Sequence, residues 1–248
     1  MQREGYQVTA EFETNYWWFL SRRELFLTQV RKAAEDLSSV GRPLMLLDFG
    51  CGTGFNLNFL ANFGIVYGAD VAKESLTEFQ KTNFPLINLK FDDGAYHGRF
   101  NILTALDVLE HTDDDVAALQ QMKQFLAPQA QIVLTVPAYR WLWSGEDIIS
   151  HHKRRYTRTD LIQCAHQAGC EVLYCSYFNF SVLPMIASVI WFKKLCSPHQ
   201  AEHSDLRPLP HWLNSFLYKL TSCEARWVGE QRQRMPAGAS LICRLKPL

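Results

Sequence analysis

Met45-Leu46-Leu47-Asp48-Phe49-Gly50-Cys51-Gly52-Thr53-Gly54 is the stretch on which the fold turns. Its first five residues make a short apolar run, the pattern of a buried strand. Glycines at alternate positions then mark a tight turn. Phe55 to Phe63 reads as a helix with Gly64 as its stop signal. A strand, a glycine-rich turn and a helix in that order open an α/β sheet whose ligand lies beyond the strand ends.

Working outward, Ile65 to Asp70 is a second strand, 73–82 a second helix, and Leu86 to Phe91 a third strand that ends at Asp92-Asp93-Gly94. Phe100 to Leu106 makes a fourth strand. Asp113-Asp114-Asp115 offers N-cap carboxylates to a helix running to about Leu126. Gln131 to Val136 is a fifth strand closed by Pro137, and a helix over Arg158–Ala168 leads to a sixth strand, Glu171–Tyr177. Ser240–Leu245 is a last strand. Upstream, 12–37 reads as an aromatic helix broken by Gly41-Arg42-Pro43. Strands alternating with helices predict a doubly wound, mostly parallel sheet covered on both faces. The chain divides into an aromatic capping region at 1–40, a Rossmann-like core at 41–180, a Trp-, Pro- and His-rich insertion at 181–237 expected to form a substrate lid, and a final core strand at 238–248.

Composition narrows the class. A chain of 248 residues with 48% hydrophobic and 20% charged residues is globular, with material for one α/β domain and an insertion. Lys and Arg number 25 against 25 Asp and Glu, which disfavours a nucleic-acid surface. Seven cysteines without a CxxC pair read as free thiols in a reducing cytosol. The first twenty residues lack the apolar core of a signal peptide, so a cytoplasmic protein is expected. Phe178 to Phe192 is apolar and is followed by Lys193-Lys194, but it is shorter than the roughly 20 residues a span needs and contains Asn179, Ser181 and Pro184. It reads as a lid or core helix, with a peripheral membrane contact through 178–194 as the alternative.

Asp48 decides the ligand. Gly50, Gly52 and Gly54, with Cys51 between them, let the backbone approach a ligand without interfering Cβ atoms, and the following helix aims its N–H groups at a carboxylate. That much suits NAD equally. A dinucleotide site wants glycine at position 55, where this chain has Phe55, and Asp48 would repel a pyrophosphate. A carboxylate there suits the ammonium and sulfonium of S-adenosylmethionine (SAM). Asp70 is the expected acid for the ribose hydroxyls, with Val71 beside it. Either Asp92 or Asp93 could accept from the adenine amino group. Asp107 closes the fourth strand as a further cofactor candidate.

Asp48 to Gly54, Asp70, Ala105-Leu106-Asp107-Val108-Leu109-Glu110-His111 and Ile132–Pro137 resemble the successive motifs of class I SAM-dependent methyltransferases over about 44–177. The resemblance implies a seven-stranded sheet whose last strand is antiparallel, with S-adenosylhomocysteine (SAH) as product. Tyr16-Trp17-Trp18-Phe19 with Arg22-Arg23, and His152-Lys153-Arg154-Arg155-Tyr156-Thr157, are similar to a bacterial branch of that family. Pro128-Gln129-Ala130 departs from its usual Pro-Gly-Gly turn, at the end of the sheet away from the ligand.

Methyl transfer to a hydroxyl or amine needs a proton acceptor. His152 is the first candidate, then His151, with Tyr156 beside them, because histidine titrates near neutrality. Trp18, Arg22, Arg154 and Arg155 are candidate substrate contacts; one of Arg154 and Arg155 could instead pair with an acid such as Asp147 or Asp160. No metal is expected, with Asp107, Glu110 and His111 as the alternative ligand set suggested by the resemblance to ubiquinone-pathway and small-RNA methyltransferases. The apolar insertion, with Trp191, Phe192, Trp212, Phe216 and Trp227, favours a small-molecule or lipid-like acceptor over nucleic acid. Two other functions fit the same pattern: a catalytically inactive SAM- or SAH-binding protein, and a nicotinamide-dependent oxidoreductase.

Overall fold

The computed structural model describes residues 10–38, 43–71, 83–91, 94–196, 207–230 and 234–248. Seven strands form one sheet: β1 (Met45–Phe49), β2 (Ile65–Asp70), β3 (Leu86–Asn88), β4 (Phe100–Leu106), β5 (Leu126–Pro137), β6 (Cys170–Phe178) and β7 (Ser240–Pro247). Their order is β3-β2-β1-β4-β5-β7-β6. Strands β1 to β5 pair in parallel, while β7 lies antiparallel between β5 and β6. The order reverses between β1 and β4, so the ligand crevice opens beyond the carboxyl ends of those two strands.

Helices cover both faces: α1 (Trp17–Asp36), α2 (Leu57–Leu60), α3 (Asp115–Gln124), α4 (Gly145–Ile149), α5 (Arg158–Gln167), α6 (Leu183–Cys196) and α7 (His211–Gly229). Successive strand residues point to opposite sides, and the core divides accordingly. Leu47, Leu103 and Leu134 pack with Leu119, Met122 and Leu161 of α3 and α5. Leu46, Ile102 and Val133 pack with Leu25, Phe26 and Val30 of α1, Leu57 of α2 and Val228 of α7.

Caps follow the sequence signals. The Asp114 side chain accepts from Ala117 N–H at the start of α3, and Thr157 and Asp160 form a reciprocal box at the start of α5.

Four expected boundaries move. The predicted helix over 12–37 is interrupted, because Tyr16 is extended and α1 starts only at Trp17. Asn214 of α7 causes the break: its Oδ1 accepts from Trp17 N–H at 2.9 Å and its Nδ2 donates to the Asn15 carbonyl at 2.9 Å. The helix after the glycine turn is a single turn, Leu57–Leu60, rather than Phe55–Phe63. Strand β3 stops at Asn88, after which Leu89–Phe91 coil into a 3-10 turn. Strand β5 begins at Leu126, five residues early, and Gln129 takes a left-handed φ of 66° inside it, where a glycine would sit without strain. The helix expected over 73–82 lies outside the described residues.

Among the described residues the insertion is built as two helices. α7 packs along α1: Gln29 Nε2 donates to the Gly229 carbonyl at 3.2 Å, and Tyr218 hydrogen-bonds Glu24. Gly229 permits the approach, since a Cβ there would stand 2.9 Å from Thr28 Cγ2.

Candidate active site

The glycine turn has the expected conformation, with φ of 74°, 55° and 79° at Gly50, Gly52 and Gly54. A Cβ on Gly50 would lie 2.6 Å from Val108 Cγ2, so the residue must be glycine for steric as well as conformational reasons. Gly50 and Cys51 N–H both donate to the Ala69 carbonyl, and Gly52 N–H donates to Asp70 Oδ2 at 2.9 Å. The turn is thereby fastened to the end of β2. Cys51 is buried among the α1 and α2 contacts, whereas Val71, just past Asp70, is 49% exposed at the crevice. Asp92 and Asp93 lie outside the described residues.

Asp48 is buried, and Thr104 Oγ1 donates to it at 2.6 Å. Burial pushes its carboxyl up to about 7; Thr104 opposes that shift and nearby Asp70 adds to it. An acid this costly to ionise calls for a cationic neighbour. The bare cradle at Gly50 and the buried Asp48 both fit the amino-acid end of SAM.

The aromatic segment reaches the same crevice. Arg22 Nη2 pairs with Asp107, which sits at φ 56° beyond β4, and also donates to Thr135 Oγ1 at 3.2 Å. Its guanidinium lies 5.2 Å from the Trp18 ring centre and 5.6 Å from that of Phe178. Trp18, Arg22 and Asp107 are therefore together. Glu13, which no sequence motif marks, accepts from Thr53 Oγ1 of the glycine turn at 2.9 Å. Burial raises its carboxyl despite that bond and the charge of Arg23.

The loops after β4 and β5 meet beside this point. His152 Nδ1 lies 2.8 Å from Asp147 Oδ1, and its Nε2 lies 4.0 Å from Glu110 Oε1. Donation from Nδ1–H to Asp147 leaves Nε2 of the neutral ring as the acceptor. Burial works to raise the Asp147 carboxyl, but His152, Arg155 and the Ser144 N–H together bring it down to about 2. Glu110 is fully buried, with no hydrogen-bond partner on either oxygen among the described residues. Burial, reinforced by Asp107, lifts its carboxyl well above the usual range. His111 packs edge-on to His152 with ring centres 4.8 Å apart; burial and that neighbour hold it down to about 4.

Of the other candidates, only Arg155 touches this cluster. His151, at φ 55°, is exposed. Tyr156 is buried and donates to Asp115 Oδ2 at 3.0 Å. Arg155 grips Asp147 through Nε and Nη2 at 2.7 and 2.8 Å. Arg154 pairs with Asp115 at 3.0 Å and donates to the Asp113 carbonyl. Both arginines thus tie the loop to its surroundings. Glu110, His111 and His152 bring three ligand atoms within 4.8 Å of one another, while Asp107 is engaged by Arg22. No sequence motif marks Asp147 as the partner of His152, whereas its pairing with an arginine is one of the expected arrangements.

The strand order, the reversed β7 and the acid-flanked glycine turn define a class I SAM-dependent methyltransferase. Residues 19–174 match the model of the methyltransferase domain family, and the chain belongs to that family. It is 26% identical over 159 residues to the ubiquinone biosynthesis O-methyltransferase of Pseudoalteromonas translucida, covering 55% of this chain and 67% of that one. The fold is shared with the plantazolicin methyltransferase BamL, crystallised with a triazolic desmethylPZN analogue and SAH (TM-score 0.56, 13% identity, 98% of this chain and 89% of that one). It is shared also with the [4+2]-cyclase SpnF (TM-score 0.50, 14% identity, 89% and 80%). The protein is a SAM-dependent methyltransferase, and its cofactor is SAM.

Proposed function

We propose that the acceptor is the hydroxyl or amine of a small or lipid-like molecule, and that His152 Nε2 removes its proton. The observation that carries this reading is the Asp147–His152 pair, 2.8 Å apart, at the carboxyl ends of β4 and β5. SAM supplies an electrophilic methyl group to which the acceptor atom adds as the C–S bond breaks. Asp147 fixes the imidazole and stabilises the cation formed when Nε2 takes the proton. Gly50, Asp48 and Asp70 position the cofactor; Trp18 and Arg22 border the acceptor side. The apolar residues of α6 and α7 favour a lipid-like acceptor. Incubating the enzyme and labelled SAM with lipid extracts and, separately, with polar metabolites tests this. Label only among polar products refutes the lipid-like acceptor, and undiminished turnover by H152A refutes the base.

A second reading rests on Glu110. Its orphaned carboxylate, His111 and His152 form a two-histidine, one-carboxylate set, with Asp147 orienting His152 from behind, as carboxylates do behind metal-bound imidazoles. Such a set would suit a divalent transition ion and could lower the pKa of an acceptor hydroxyl. Cobalt(II) titration followed by visible absorption, on wild type and E110Q, distinguishes the readings without an acceptor.

A further inference from the structure

Helix α6 buries almost nothing. Among its fourteen residues only Ile190 is buried, while Trp191, Phe192 and Leu195 are 61%, 68% and 80% exposed. Helix α7 packs one side on α1 and turns the other outward. On that outer side Trp212, Phe216, Leu220 and Trp227 follow spacings of four, four and seven, which places them on one stripe. Trp212 is 71% exposed. Apolar surface on this scale marks an interaction site rather than ordinary scatter.

Charge identifies the occupant. Exposed Lys194 lies in the last turn of α6, and exposed Lys219 and Arg226 border the α7 stripe. The single carboxylate in the two helices, Glu224, is buried and accepts from Phe180 and Ser181 N–H at 2.8 and 2.9 Å. Both helices therefore present cations and aromatics with no exposed acid. A second copy of the chain meeting this face would set like charges against each other. An anionic bilayer surface neutralises the cations and receives tryptophan and phenylalanine at headgroup depth. Among the described residues no helix is long and apolar enough to cross a membrane, so the contact is lateral.

We propose that α6 and α7 form a docking face for an anionic phospholipid surface. A groove lined by Trp143, Ile148, Ile190, Lys193 and Lys194 joins α6 to α4, the short helix that carries Asp147. The docked face therefore adjoins the loop of His152. The proposal draws on the same apolar residues as the lipid-like acceptor assigned above, but it needs no turnover, so vesicle binding without SAM tests it separately.

Co-sedimentation of the full chain with vesicles of phosphatidylcholine, alone or mixed with phosphatidylglycerol, tests it. The expected result is binding to the mixed vesicles that salt weakens, with little binding to phosphatidylcholine alone. K194Q/K219Q should weaken it roughly fivefold per lysine, and W191S/F192S or W212S/F216S should abolish it. SAM titration of each variant checks that it is folded and keeps this test separate from the catalytic one. Absence of binding by folded wild type overturns the proposal, as does equal, salt-insensitive binding to both vesicles. Self-association lost in W191S/F192S, without vesicle binding, assigns the face to a second copy and equally overturns it.

Discussion

Asp147 and His152 are locked in one orientation: Oδ1 of the acid meets Nδ1 of the ring at 2.8 Å, while Arg155 holds both acid oxygens from the other side. The imidazole cannot turn without breaking that contact. H152A is expected to lower kcat by about 10² to 10⁴, the usual contribution of a general base, with SAM affinity unchanged by calorimetry. D147N should lower kcat at least about tenfold, since an amide can present its N–H to Nδ1 and leave the wrong tautomer. Wild-type kcat from D147N would remove Asp147 from the mechanism.

Asp48 gives the ligand-free protein a pH signature. Its folded carboxyl titrates at about 7, raised from 3.8. Between those values the folded state retains a proton that the unfolded state releases, so this group's contribution to stability falls as pH rises. The loss is complete above about 7 and amounts to roughly 4 kcal/mol. D48N keeps the shape and removes the titration. Its urea midpoint should exceed that of wild type at pH 8 and converge with it near pH 4, while SAM binding weakens. Parallel stability curves for the two proteins would contradict this.

Gly50 faces Val108 with no room for a methyl group. G50A should lose SAM binding, because alanine is disfavoured by about 1–2 kcal/mol at a left-handed φ and collides with Val108 Cγ2 as well. G50A/V108A relieves the collision alone and should recover part of the affinity. No recovery would place the whole penalty on φ.

Gln129 occupies a left-handed φ with its side chain exposed. Q129G should raise stability by about 0.5–1 kcal/mol in urea denaturation, with catalysis untouched. A destabilised Q129G would show that glutamine contributes something its exposure conceals.

The glycine turn and the succession of strands and helices along the chain were legible because each is a local signal: a short apolar run, a turn chemistry, a cap. What escaped was set from a distance. The break at Tyr16 depends on Asn214, 197 residues beyond the Trp17 amide it receives. Asp147 orients His152 only because α4 and the following loop fold back together. The third strand was read too long because Phe91 counted as apolar, yet it is 81% exposed. Position 92 or 93 as the adenine contact stays a proposal.

The antiparallel insertion of β7 between β5 and β6 fixes the order in which the molecule can be made. During synthesis β5 and β6 emerge long before residues 240–247; until those residues arrive β5 is paired only with β4, and β6 has no strand beside it. A nascent chain stalled near residue 237 exposes two hydrophobic strand edges, the kind of surface that recruits chaperones. The cofactor crevice between β1 and β4 is already complete by then, so SAM in the cell could bind and hold the half-built sheet before its last strand enters.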